Sequence, residues 1–350
     1  MNIEEKNVDD GSAADPQRKV LDYLASSGVK HHASIVMSDL KTMDFKNEIV
    51  PIDSSNLKLL KTDFVFWAVS LIAIIPLFLV TLSETQSQIT GFCLFFASIW
   101  GLAFKKFILA EDEGWLIPIA SLFFTGIVGI NVLLWVYEHL PRWYNEMPDT
   151  ENPFGMILGS ILHTGITEEL CKIIPVLLYI TWKRQNVKAL TIVLVGVFSG
   201  LGFAAFENMD YAGRQVLQSA RLTVTYGAIG LQEGVQSAMV NVMLRSMSAV
   251  FGHAVYSGIF SYFIALAFIT GKRRGALAIV GLLLAATIHG LYNSFWAIQT
   301  TIPALITAAA FMLFYAYLTK LRLIIVTKST ELDQEQWAAK ASDSPASIGA

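Results

Sequence analysis

GMILGSILHTGITEELCKIIPVLLYITW, residues 155–182, is apolar and long enough to cross a bilayer, yet its middle carries Glu168, Glu169 and Lys172. A charged side chain at membrane depth costs about 3 kcal/mol or more, so such groups face a protein interior or a wet cavity and mark function. On a helix Lys172 stands at i+4 from Glu168 and i+3 from Glu169, within reach of either carboxylate. The two glutamates are about 100° apart around the axis. The expectation is that one pairs with Lys172 while the other points into a polar cavity as a general acid or base. Pro175 cannot donate to the carbonyl of Cys171 and is expected to bend the helix just below the cluster.

Working outward, the chain of 350 residues is 54% hydrophobic and 15% charged, with a mean hydropathy of +0.53. Those values describe an all-α polytopic membrane protein. The net charge of -3 gives no cause to expect a nucleic-acid partner. Cys93 and Cys171 both fall in apolar runs, as unpaired buried thiols do. Residues 1–60 are polar and of mixed charge, and are expected to form a cytosolic, partly disordered leader with a short amphipathic helix over 16–25. They hold no apolar core of signal-peptide length, so the first span should act as its own membrane signal.

Eight apolar runs follow: 64–82, 89–109, 115–137, 155–182, 189–212, 246–271, 275–298 and 301–326. Each reaches the roughly 20 residues that cross about 30 Å of hydrocarbon. Basic residues cluster at alternate connections (Lys58 and Lys61, Lys105 and Lys106, Lys183 to Lys188, Lys272 to Arg274, Lys320 to Lys328). The other side has only Arg142, Arg214, Arg221 and Arg245. The expected fold is therefore eight transmembrane helices with both termini in the cytoplasm. The domain spans 61–326, and 327–350 forms a disordered cytosolic tail. Residues 213–245 are expected to be a long outer loop whose part 235–247 lies on the membrane or folds back as a cover.

Further polar positions lie inside the spans: His163, Glu207 in FAAFENMDY, His253, and His289 with Asn293 four residues on. Counted from the basic edges at 1.5 Å per residue, Glu168, Glu207, His253 and His289 stand roughly 21 to 27 Å above the cytoplasmic boundary. Four spans thus present ionisable groups in one layer of the outer half of the membrane. His163 is expected to be structural, and Gly196, Gly200 and Gly202 to allow close helix packing.

The ordered set of Glu168, Glu169 and Lys172, then Phe203-x-x-x-Glu207, then His289-x-x-x-Asn293 resembles the PrsW family of intramembrane proteases over about 64–326. It is more distantly similar to the CAAX-type prenyl-protein endopeptidases, which have an arginine and a histidine where this chain has Lys172 and Glu207. The resemblance implies a multi-pass protein of the bacterial cell membrane that cleaves a membrane-anchored protein, such as an anti-sigma factor, on its extracytoplasmic side. By that resemblance Glu168 or Glu169 activates water, while His289 and Asn293 polarise the carbonyl and stabilise the oxyanion. A carboxylate at Glu207 is expected to share a proton with another glutamate or to bind metal. Glu168, Glu169, Glu207, His253 and His289 are the candidate ligands for a catalytic Zn2+. The absence of a His-Glu-x-x-His pairing favours a metal-free water.

Two competing functions use the same residues. A proton-coupled transporter or channel would use them as a relay and needs a path open to both faces. A prenyl-protein endopeptidase would need a cavity for an isoprenoid and a cytosolic substrate, against which the outer-half layer argues.

Overall fold

The computed structural model describes residues 29–44, 57–58, 61–110, 113–299 and 301–342. Helix is the only regular structure among them. The helix expected over 16–25 lies outside these residues. Two compact units divide the chain, Met1–Ser70 and Leu71–Ala350. In the first, a helix runs Val29–Thr42, and Asp63 accepts from the Phe66 amide (3.1 Å) at the start of the Phe64–Leu79 helix.

Six helices are long and apolar enough to cross a membrane: Gln86–Ile108, Leu116–His139, Ala189–Gly227, Val240–Thr270, Arg274–Trp296 and Thr301–Glu331. The remaining two expected spans differ from an uninterrupted crossing helix. Phe64–Leu79 has 16 residues. The stretch from Pro153 to Lys183 is helical in pieces: Pro153–Gly159, a π-helical turn Ser160–Gly165, Ile166–Lys172 and Ile174–Lys183. It starts in the way its sequence dictates, with the Asn152 side chain accepting from the Phe154 amide (3.2 Å) and Pro153 in the first turn. It breaks at Ile173 (φ -78, ψ -15), two residues before Pro175, where the missing N–H was expected to tell.

The connection expected as a loop over 213–245 is helical. The backbone is helical from Ala189 to Thr270 apart from a break at Gly227 (φ 62, ψ -142), a conformation that glycine adopts without steric cost. At 1.5 Å per residue the Ala189–Gly227 helix, 39 residues long, measures about 58 Å, nearly twice the hydrocarbon thickness. Polar residues end the apolar run near Asp210 without containing a helix breaker, which is why hydropathy ended the span early. The last helix likewise continues to Ser342, so the part of the tail before 343 is helical where disorder was expected.

In the Leu71–Ala350 unit the Ala189–Gly227 and Val240–Thr270 helices form the centre. Of their most apolar windows, 83% and 78% is buried, against 22–33% for the other four spans. They pack as closely as they do because a Cβ at Gly196 would collide with Ser261 and one at Gly200 with the His253 carbonyl. Around this pair stand Trp100 and Phe104 of the Thr85–Ile108 helix and Phe314 of the last helix, with Phe251 stacked on Phe104 at 5.4 Å. Leu134, Leu177, Leu178, Leu283 and Met312 point outward, as lipid-facing side chains do.

Candidate active site

The Ile166–Lys172 helix is held against three neighbours. Thr125 Oγ1 bonds Ser199 Oγ (2.7 Å), and Ser199 donates to the Lys172 carbonyl (2.6 Å). On the opposite side two glycines allow the backbones of this segment and the Arg274–Ile298 helix to touch. A Cβ on Gly165 would meet the Ala286 backbone, and one on Gly290 would meet Ile161 Cα at 2.5 Å. This close approach lets His289 reach a glutamate 120 residues away in sequence.

Lys172 is the hub. Its ammonium donates to Glu168 Oε2 (3.0 Å), Glu169 Oε1 (2.9 Å) and His253 Nδ1 (2.8 Å), and lies 4.2 Å from the Phe203 ring centroid. Both glutamates therefore pair with it, correcting the expectation that only one would. The lysine stem rises between them, so neighbours on either side of one helix turn converge on a single cation. All three side chains are nearly sealed, at 0% exposure for Lys172 and Glu169 and 7% for Glu168.

An ammonium has no lone pair, so His253 must accept at Nδ1 and carry its proton on Nε2. That nitrogen faces Glu207 Oε2 at 3.3 Å. Glu207 in turn accepts from Arg245 Nη2 (3.0 Å), while Arg245 Nε donates to Asn208 Oδ1 (2.9 Å) and the guanidinium lies 3.7 Å from the Tyr211 ring centroid. No second glutamate approaches Glu207 closely enough to share a proton with it, as had been expected. Arg245 was missed because it had been counted among the basic residues of an outer loop. With the long helix extended it stands two turns from His253, with its side chain 12% exposed.

Glu169 is fully committed. Besides Lys172, it accepts from His289 Nδ1 (3.1 Å) and from Ser257 Oγ (3.2 Å). His289 thus donates from Nδ1 and leaves Nε2 as a bare lone pair. That nitrogen is buried without a hydrogen-bond partner, 3.6 Å from Glu168 Oε2. Glu168 differs from its neighbour. Among the described residues none donates to its Oε1.

The sequence candidates thus separate. Glu168, Glu169, Lys172, Glu207, His253 and His289 form one network. Asn293, one turn beyond His289, is half-buried and makes no hydrogen bond to it. His163 stands apart, bonded to Asn145 (3.0 Å) and stacked on Tyr137.

Glu168, His253 and His289 offer ligand atoms that all lie within 4.8 Å of one another. One carboxylate and two imidazoles suit a catalytic zinc with an open position. Each imidazole is also backed by a carboxylate, Glu169 or Glu207, as metal-binding histidines are. The set fits a divalent cation, provided that Lys172 releases His253 Nδ1. Of the candidate ligands, Glu169 and Glu207 take this backing position.

The model of the PrsW family intramembrane metalloproteases matches residues 113–319, a stretch that holds every member of the network. Comparisons with curated proteins and with solved structures gave no match. The family match covers more than half of the chain, and this multi-pass helical protein belongs to the PrsW family of intramembrane proteases.

Proposed function

We propose that the protein hydrolyses a peptide bond in a membrane-anchored protein on the extracytoplasmic side of a bacterial cell membrane, as in the first cut of regulated proteolysis of an anti-sigma factor. In this reading all eight apolar runs cross the membrane, with both termini in the cytoplasm. The Pro153–Lys183 stretch crosses as one interrupted helix, and residues 61–326 make the protease domain. The positive-inside distribution of lysines supports that orientation.

The observation that carries the reading is the unequal commitment of the two glutamates. Glu169 accepts from three donors and serves as the anchor that orients His289. Glu168 has one oxygen on Lys172 and another without a donor, facing the bare Nε2 of His289 across a gap too wide for a direct hydrogen bond. A water in that gap could donate to both, and Glu168 is the group that takes its proton as the oxygen attacks the scissile carbonyl. Microscopic reversal then has the protonated Glu168 deliver that proton to the leaving amine.

Lys172 keeps both carboxylates anionic before the step, and its charge opposes the negative charge that develops on the carbonyl oxygen. His289 as observed accepts at Nε2, so it becomes an oxyanion donor only after gaining a proton there. Asn293 is assigned a contact with substrate on the strength of its place one turn from His289. Glu168, His253 Nδ1 and His289 Nε2 would hold a zinc-type cation, which would polarise the carbonyl and acidify a bound water.

The test is cleavage of a membrane-anchored reporter by the full chain in liposomes. Glu168→Gln and Glu169→Gln are each expected to abolish cleavage while the protein remains folded. Retained turnover in both would overturn the assignment.

A further inference from the structure

A second built feature lies at the opposite, lysine-rich end of the helices. Around the end of the Thr85–Ile108 helix, the start of the Ala189–Gly227 helix, the end of the Val240–Thr270 helix and the last helix there is a pocket of about 490 Å³. Its lining is mainly apolar, with Leu190, Phe268 and Ile325, and includes Lys188, Lys328 and Glu113. The volume falls in the range of roughly 300–1,000 Å³ typical of ligand sites.

Charge decides what it would take. Lys328 is fixed by donating to the Ile269 carbonyl (3.0 Å), which leaves two of its three ammonium hydrogens for another acceptor. Glu113, the acid of the pocket, is engaged: its carboxylate accepts from Thr191 (3.2 Å) and its carbonyl from Lys105. One turn from Ile325 toward the core, Arg322 spends Nη2 on the Phe107 carbonyl while its buried Nε has no acceptor. Basic donors therefore outnumber acids at a greasy cavity set where the spans end, the pattern of an anionic headgroup site.

We propose that this pocket binds an anionic glycerophospholipid of the adjoining leaflet, one acyl chain lying against Leu190, Phe268 and Ile325 and the phosphate between Lys188 and Lys328. Such a lipid would tie the last helix to the two central ones. The proposal is independent of the proteolytic reading, because no residue of the pocket belongs to the glutamate–histidine network.

The full chain would be extracted from vesicles of equimolar phosphatidylglycerol and phosphatidylcholine with identical chains, and its retained lipids counted by native mass spectrometry. About tenfold enrichment of one phosphatidylglycerol is expected, within what two lysines near a charged headgroup supply. Lys188→Gln with Lys328→Gln should bring the ratio near parity. Lys106→Gln with Lys272→Gln, two exposed lysines at the same end, should leave it unchanged. Ile325→Trp, which fills the apolar part and keeps both lysines, should lower retention of either lipid. Parity in the unaltered protein, an equal loss in both lysine pairs, or displacement by millimolar inorganic phosphate would overturn it.

Discussion

Replacing Lys172 by Met removes the one cation shared by two buried carboxylates while preserving most of the side-chain volume. At about 3 Å and an effective dielectric constant of about 20, each ion pair is worth roughly 5 kcal/mol of attraction, much of it offset by the cost of taking the charges out of water. Breaking a buried pair by deleting one partner costs about 3–5 kcal/mol, because the remaining charge is left without compensation. Here two charges are left, at 7% and 0% side-chain exposure, so a loss at the upper end of that range is expected. Reversible denaturation in mixed micelles, followed by tryptophan fluorescence, measures it. The same reasoning requires rescue: adding Glu169→Gln to Lys172→Met removes one orphaned charge and should recover a kcal/mol or more, on the order of a charged hydrogen bond. If Lys172→Met unfolds at the same denaturant concentration as the unaltered protein, or the double variant is weaker than the single one by a full additive step, the network does not hold the charges that its geometry implies.

The remaining predictions address the periphery of the site. Arg245→Met should lower kcat for a membrane-anchored reporter about 10–100-fold with little change in KM, as loss of a carboxylate's backing partner does. Arg245→Lys should recover part of that loss, and a variant with unimpaired kcat would remove Arg245 from the site. Gly290→Ala places a Cβ 2.5 Å from Ile161 Cα. It should cost about 1–3 kcal/mol in unfolding experiments as over-packed sites do, while Gly275→Ala, with nothing within 4 Å, should cost nothing. Metal analysis of protein purified without chelator is expected to find about one zinc per chain, lost in His289→Ala, since these are the ligand types zinc takes. Cleavage by protein shown to be metal-free would leave water activation to Glu168 alone.

Much of the site was legible because the membrane makes polar residues conspicuous. Glu168, Glu169, Lys172, Glu207, His253 and His289 stand out against apolar runs, and counting from the basic ends put them at one depth; the structure joins all six. Beyond the spans that contrast is absent. Arg245 looks like any loop arginine until the Val240–Thr270 helix brings it toward Glu207. Hydropathy also ended the fifth span near Asp210, whereas the backbone stays helical to Gly227, since helix continues wherever nothing breaks it, in lipid or out. Side-chain direction was equally hidden: an angular separation of about 100° says nothing of a long lysine that bends between two neighbours.

The irregular turns of the glutamate-bearing stretch explain how so polar a layer is tolerated. A straight helix of uniform pitch would carry Gly165 and Glu169 past the Arg274–Ile298 helix at a spacing set by ordinary side chains, roughly 8–10 Å between axes. The π turn Ser160–Gly165 and the break at Ile173 bracket the short Ile166–Lys172 helix, so that this one segment can settle against Ala286 on one side and Ser199 on the other. Only with the backbone that close do Ser257, His253 and His289 reach the carboxylates from three directions, and only then do the buried charges find enough donors to stay folded. The glycines and the helix break therefore belong to the chemistry as much as the glutamates do: they set the distance at which burying an acid at membrane depth becomes possible.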